Sequence, residues 1–146
     1  METKSKKIGV GVGVMILNKQ GQVLLGLRNP DKVKAPGELR GEGTWTMPGG
    51  KVDFHETLGD AARRETHEET NLSVKTLTLI SLCDDFSETA HYVTAGFLAT
   101  DITGELKTME PETILEWRWF DLDNLPKNIY EPSKKLLENY HAKKIY

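Results

Sequence analysis

Residues 49–72 read GGKVDFHETLGDAARRETHEETNL. From Thr57 to Thr70 this stretch is expected to be a helix. Within it Glu65, Glu68 and Glu69 fall at i, i+3 and i+4, which puts all three on one helical face. Like charges at this spacing destabilise a helix by ~0.2–0.5 kcal/mol per pair. Arg63 and Arg64 relieve part of that repulsion, but a helix selected for stability alone has no need of the cluster. The bland alternative is a solvated acidic face. A hard cation gives the cluster a purpose, because Mg²⁺ prefers carboxylate oxygens, keeps several waters and bridges to phosphates. Two neighbours favour the cation. Pro48-Gly49-Gly50 is a glycine loop whose backbone can approach a ligand closely. Glu56 lies near the helix N-terminus, where a carboxylate suits the dipole.

Working outward, residues 8–17 alternate Val10, Val12, Val14 and Ile16 with Gly9, Gly11, Gly13 and Met15, the period of a strand. Residues 18–21 (NKQG) form a turn and 22–28 a returning strand, so the pair is expected to be a hairpin. Residues 29–43 are a polar loop containing Gly and Pro. Short strands are expected at 44–47, ended by Pro48-Gly49-Gly50, and at 116–120 (EWRWF). Longer strands are expected at 72–82 and 91–100. Residues 121–125 resemble one helical turn, stopped by Pro126. A terminal helix is expected at 131–142, with Leu136, Leu137 and Tyr140 at helical spacing. Strands, helix, strands, helix is the order of an α+β or α/β mixed sheet with helices packed on it.

Composition narrows the function classes. The 146 residues suit a single domain over 1–146, with a core at roughly 8–141 and a basic start, residues 1–7, expected to fray. Hydrophobic residues are 38% and charged residues 28%, a globular balance. The net charge of -3 gives no general attraction for a nucleic-acid polymer or an anionic membrane. Cys83 is the only cysteine, which excludes an intrachain disulfide and a cysteine-based zinc site. The apolar run 8–17 is half the roughly 20 residues of a membrane span, and no signal-peptide cleavage pattern follows it. A cytoplasmic location is therefore expected.

The stretch resembles the Nudix box, G-x5-E-x7-R-E-U-x-E-E-x-G-U with U aliphatic. Gly50, Glu56, Arg64, Glu65, Glu68 and Glu69 match it at the required spacing. Two positions depart. Thr66 replaces an aliphatic residue but keeps a methyl. Asn71 replaces the second glycine and is the next-best residue for a left-handed helix end. The succession of elements over residues 8–141 is similar to a whole Nudix domain, and the resemblance implies its α/β/α sandwich around a mixed β-sheet. His91-Tyr92-Val93 and Met109-Glu110-Pro111-Glu112, followed by EWRWF, resemble the MutT-like group that cleaves nucleoside triphosphates.

The resemblance implies hydrolysis of a pyrophosphate bond in a nucleotide, with Mg²⁺ as cofactor and Mn²⁺ as its substitute. It implies metal ligands at Glu68 and Glu69, at the Gly49 carbonyl, and at Glu65, which is either a ligand or the base for the attacking water. Arg64 would be the orienting ion-pair partner of Glu56 or Glu68. The expected substrate is a nucleoside triphosphate, oxidised or otherwise non-standard bases included, cleaved to monophosphate and pyrophosphate. One small domain holding the whole substrate suits so compact a ligand. The alternatives are a nucleoside diphosphate sugar or ADP-ribose hydrolase, and a non-catalytic nucleotide sensor. A sensor would be expected to lose the box carboxylates that this chain keeps. A homodimer is a state that many relatives adopt.

Outside the box, Arg28 ends a strand beside the loop and suits a phosphate, or is a surface arginine. Lys32, Lys34 and Arg40 lie in that loop. Gly11 and Gly13, with Gly9, open one strand face for a nucleobase or for close packing. Glu110, Glu112 and Glu116 are candidates for a further metal ligand, with Glu112 preferred. Trp117 and Trp119 point the same way on a strand, into the core or against a base. His67 is expected at the surface, and Cys83 is expected to be a structural thiol.

Overall fold

The alternation of the first strand separates two hydrophobic cores. The computed structural model describes residues 6–37 and 39–146, so the first five residues of the expected frayed start lie outside the described residues. In β1 (Ile8–Ile16), Val12, Val14 and Ile16 enter one core, while Met15 enters the other. The first core is closed by Ala61 and Ala62 of α1 (Leu58–Thr70), the second by Leu136 and Leu137 of α2 (Glu131–Ala142).

Between the helices lie β1, β2 (Val23–Arg28), β3 (Trp45–Thr46), β4 (Gly49–Lys51), β5 (Ser73–Val74), β6 (Thr78–Phe86), β7 (His91–Ala99), β8 (Ile102–Thr103) and β9 (Ile114–Phe120). Strands order as β4-β1-β7-β6 in one sheet and β3-β2-β9 in a second, with β5-β8 as a small pair. β1 runs parallel to β7 over its whole length and antiparallel to β4, so the sheet is mixed. This is the α+β sandwich expected above.

Four local expectations change. The hairpin of β1 and β2 is confined to its turn. Asn18 Oδ1 accepts from the Gln20 and Gln22 amides, and a single bridge joins Leu17 to Val23. Beyond it β2 joins the second sheet, because β4 and β7 already occupy both edges of β1. Pro48-Gly49-Gly50 does not simply end a strand, since Gly49 opens β4 and pairs with Gly13. The expected strand 72–82 is divided into β5 and β6. Residues 121–125 form a turn closed by Asn124 N to Asp121 O at 3.0 Å, not a helical turn.

The helix carrying the carboxylates begins and ends on side-chain chemistry. Thr57 is its N-cap and accepts from Asp60 N at 3.1 Å. Asn71 ends it at φ 66°, in the left-handed region, with its amide on His67 O at 2.9 Å and its side chain on Glu105 O at 2.9 Å. Thr66 is fully buried and its hydroxyl has no partner.

Three stability measurements follow from these positions. Asn71→Val should cost about 2 kcal/mol in urea unfolding, since a branched side chain is strained in that conformation and the bond to Glu105 is lost. Asn71→Gly should stay within about 1 kcal/mol of the parent, trading that bond for backbone ease. Thr66→Val keeps shape and removes an unsatisfied hydroxyl, and should stabilise by about 1 kcal/mol. A valine at 71 that unfolds with the parent would contradict the helix ending.

Candidate active site

Box residues meet where α1 crosses the edge strand β4. Arg64 is the hub. Its Nε and Nη2 bind the two oxygens of Glu56 at 2.7 and 2.9 Å, and its Nη1 reaches Glu65 Oε1 at 2.9 Å and Glu68 Oε2 at 3.3 Å. Nη2 also donates to Lys51 O at 3.0 Å, tying the helix to β4. Both partners foreseen for Arg64, Glu56 and Glu68, are therefore engaged at once. The bidentate bond from Arg64, aided by the Asp53 amide, pulls the Glu56 carboxyl down to about 2.

Glu65 and Glu69 are held differently. Glu65 lies against Gly50, where an added Cβ would stand 2.6 Å from its carboxyl carbon. Burial pushes its carboxyl up, against the pull of Arg64. Glu69 Oε2 accepts from Gly49 N at 2.8 Å, so the Gly49 amide faces this cluster. Burial pushes the Glu69 carboxyl well above its ordinary range, and Glu65, Glu110 and Glu68 push it the same way. The main chain of Glu69 is fastened by Trp117 Nε1 at 3.1 Å. Glu68 is the exposed member of the three.

The loop before β9 carries the three further candidates. Glu110, not the preferred Glu112, is the carboxylate whose charge acts on both Glu65 and Glu69. Glu112 is exposed and uses its carbonyl to accept from Asn29 at 2.8 Å, while Glu116 pairs with Arg118 at 2.7 Å. The loop meets α1 through the Met109 amide, which donates to Glu69 O at 3.3 Å, and the Glu110 carbonyl then accepts from Thr113 and Ile114 as the chain enters β9.

Among the described residues, no three acidic, histidine or cysteine side chains stand close enough to hold an ion together. The donor set still fits a Mg²⁺ ion, which takes one or two carboxylates and completes its shell with water and phosphate oxygens. The donors are all oxygen, they flank one edge strand, and two of them are carboxylates that desolvation and mutual repulsion leave in need of positive charge.

A cavity of about 290 Å³ opens beside this edge. Gly11 and Gly13 line it with Gly49, Gly50 and Glu69, so two of the three strand glycines do open a surface. Gly9 does not, because the Tyr92 ring covers it. Of the two settings expected for them, Trp117 packs in the core and Trp119 against it. Arg28 lines the cavity, but much of its guanidinium is already used: Nε donates to Gly41 O at 3.0 Å and Nη2 to Ala35 O at 3.2 Å. It thereby fastens Ala35 and Gly41 of the loop, whose Pro36, Gly37 and Leu39 also line the cavity, and stacks 4.9 Å from the Tyr130 ring. Tyr92, Thr94, Tyr130 and Ser133 complete the wall and were not foreseen. Nothing in their local sequence marks them, since β7 and the start of α2 come together only through the fold.

Comparison with known proteins agrees with the geometry. A family model described as the NUDIX domain matches residues 7–140. The chain is 32% identical over 127 residues to an ADP-ribose pyrophosphatase of Methanocaldococcus jannaschii, covering 86% of this chain and 69% of that protein. It is 31% identical to an RNA pyrophosphohydrolase of Pelagibacter ubique, covering 79% and 77%. Among solved structures, a MutT NUDIX hydrolase from Burkholderia pseudomallei superposes with a TM-score of 0.82 at 32% identity, covering 92% of this chain and 98% of that one.

The two glycines of β4 should respond differently to a methyl group. Gly50→Ala pushes on the far end of the Glu65 side chain and not on backbone, so stability should change by less than about 1 kcal/mol while hydrolysis falls at least tenfold. Gly49→Ala runs into the Val12 carbonyl of the adjoining strand and should cost about 2 kcal/mol or more in chemical unfolding. Equal loss of stability in the two variants would contradict this placement.

Proposed function

The chain belongs to the NUDIX domain family and is a hydrolase of pyrophosphate bonds in nucleotide-like substrates; from that premise we propose that it is a Mg²⁺-dependent pyrophosphohydrolase of nucleoside triphosphates. The products are the monophosphate and pyrophosphate. The observation that carries the reading is the single-nucleotide scale of the cavity, about 290 Å³, set directly against the carboxylate-bearing edge strand. Triphosphates with oxidised or non-standard bases fall within it.

The residues divide the work. The family generally uses divalent metal ions, and Glu65, Glu68 and Glu69, with the Gly49 main chain and Glu110, form the oxygen-rich edge that would hold them. Bound there, Mg²⁺ supplies charge to the phosphate oxygens and acidifies a water. Glu65 is suited to take a proton from the attacking water, since burial raises its carboxyl toward the working pH. Arg64 holds Glu65 in place through Nη1 and is itself fixed by Glu56. Gly49 N–H orients Glu69. Arg28 shapes the loop over the cavity and has Nη1 left for a phosphate oxygen.

The names of relatives favour a second reading, in which the phosphates belong to ADP-ribose or to an RNA 5′ end. A net charge of -3 offers a polymer little general attraction, which supports the mononucleotide.

Glu69→Gln keeps size and removes charge. It should lower kcat at least ~10²-fold, the scale of losing one preorganised electrostatic contact, in a protein that melts no lower than the parent. Removal of Mg²⁺ by a chelator should abolish turnover, and its return should restore it. A panel of nucleoside triphosphates, ADP-ribose, UDP-glucose and a 5′-triphosphorylated RNA oligomer, resolved by chromatography, tests the substrate. The best triphosphate should exceed the others at least tenfold in kcat/KM. ADP-ribose or the RNA as best substrate would overturn the reading.

A further inference from the structure

Asp85 is the buried charged side chain of the described residues, 2% exposed, and it belongs to neither the box nor the edge cluster. It sits on β6, the edge strand at the end of the sheet opposite β4, and α2 packs against that strand. Its Oδ1 lies 3.0 Å from Lys135 Nζ, and Lys135 also donates to Asp84 O at 2.7 Å. Its Oδ2 accepts from Thr94 Oγ1 at 2.7 Å. A carboxylate paired with an ammonium accepts and does not donate. The one proton of the Thr94 hydroxyl is thus directed away from the cavity, and the hydroxyl oxygen is left with lone pairs only. Thr94 lines the cavity, and its Oγ1 stands beside Gly11, its register partner, where even an added Cβ would remain 3.8 Å away.

We propose that Thr94 is an acceptor-only specificity contact, polarised by Asp85 as a positioning residue, and that it selects nucleobases presenting an exocyclic amine over those presenting a carbonyl. The reading rests on the cavity being the nucleotide site proposed above. Thr94 lies on β7, two strands inward from the carboxylate edge at β4, which is about 10 Å. A ligand with its phosphates at that edge meets Thr94 with its far end. A ribose hydroxyl can donate or accept and would not be sorted there. A base amine only donates and a base carbonyl only accepts, so an acceptor with a committed proton separates them. A carbonyl facing it leaves two acceptors opposed without a proton between them.

The test compares matched pairs that differ in that one group, ATP with ITP and CTP with UTP, by kcat/KM in the same buffer. Whichever phosphate class the protein cleaves best carries the comparison. ADP-ribose and its hypoxanthine counterpart replace the triphosphates if they turn over faster, which overturns the triphosphate reading and leaves this test intact. The wild type should favour the amine member of at least one pair tenfold or more. Thr94→Val should bring that ratio to within about threefold of unity, and Thr94→Ser should keep it. Asp85→Asn can donate its amide to Thr94 Oγ1 and free the hydroxyl proton for the cavity, so it should shift the ratio at least tenfold toward the carbonyl member. A merely structural role would lower both members together. Wild-type ratios near unity in every pair overturn the proposal, as does an unchanged ratio in a folded Thr94→Val protein. If Asp85→Asn does not fold, the Val and Ser variants at 94 decide it.

Discussion

Carboxylates at Glu56, Glu65 and Glu68 converge on a single guanidinium, and the arrangement of the site depends on it. Arg64 reaches all three within 3.3 Å and takes the Lys51 carbonyl as well. Without that positive charge the acidic face of α1 would repel itself and the edge strand would lose one of its ties to the helix, keeping the bond from Gly49 N to Glu69. Arginine is needed because its rigid fork meets Glu56 with two parallel bonds while its remaining nitrogen points to the other side. The bond to Glu56 secures the arginine, and the secured arginine in turn orients Glu65.

Absence of side chains is the complementary constraint. Gly50 lets the Glu65 carboxyl lie against β4, and Gly49 lets its own amide reach Glu69 while the Val12 carbonyl passes close by. Gly11 and Gly13 then leave open the face of β1 that looks away from α1. An edge strand almost without side chains therefore joins two regions that a sheet would ordinarily keep apart, the acidic helix on one face and the cavity on the other. Glu69, which touches β4 and lines the cavity, marks the passage between them.

Polarity at the far end of the cavity is organised on the same plan, with a buried carboxylate, paired to a half-buried lysine, fixing the direction of a neutral group. Lys135 neutralises Asp85, and Asp85 orients the Thr94 hydroxyl. Each charged group is satisfied by its neighbour, which is what burial demands. The loop over the cavity is also held from within, by Arg28 on its carbonyls.

What the sequence determined by itself was whatever lies within one element. Residue spacing alone placed Glu65, Glu68 and Glu69 on one face and set the limits of both helices within a residue, and the resemblance to the Nudix box marked Asn71 as a left-handed end. Period two in residues 8–16 predicted both the strand and its open glycine face, because side-chain direction follows from the local backbone. Tertiary structure decided everything that depends on which segment lies beside which. It paired β1 with β7 rather than with β2, made Gly49–Lys51 an edge strand, and set the charge of Glu110 against Glu65 and Glu69. It also joined Thr94, Asp85 and Lys135 from three elements separated by up to 50 residues. Such contacts are chosen by competition among all the strand edges and apolar faces of the chain, and no local pattern of residues records the outcome of that competition.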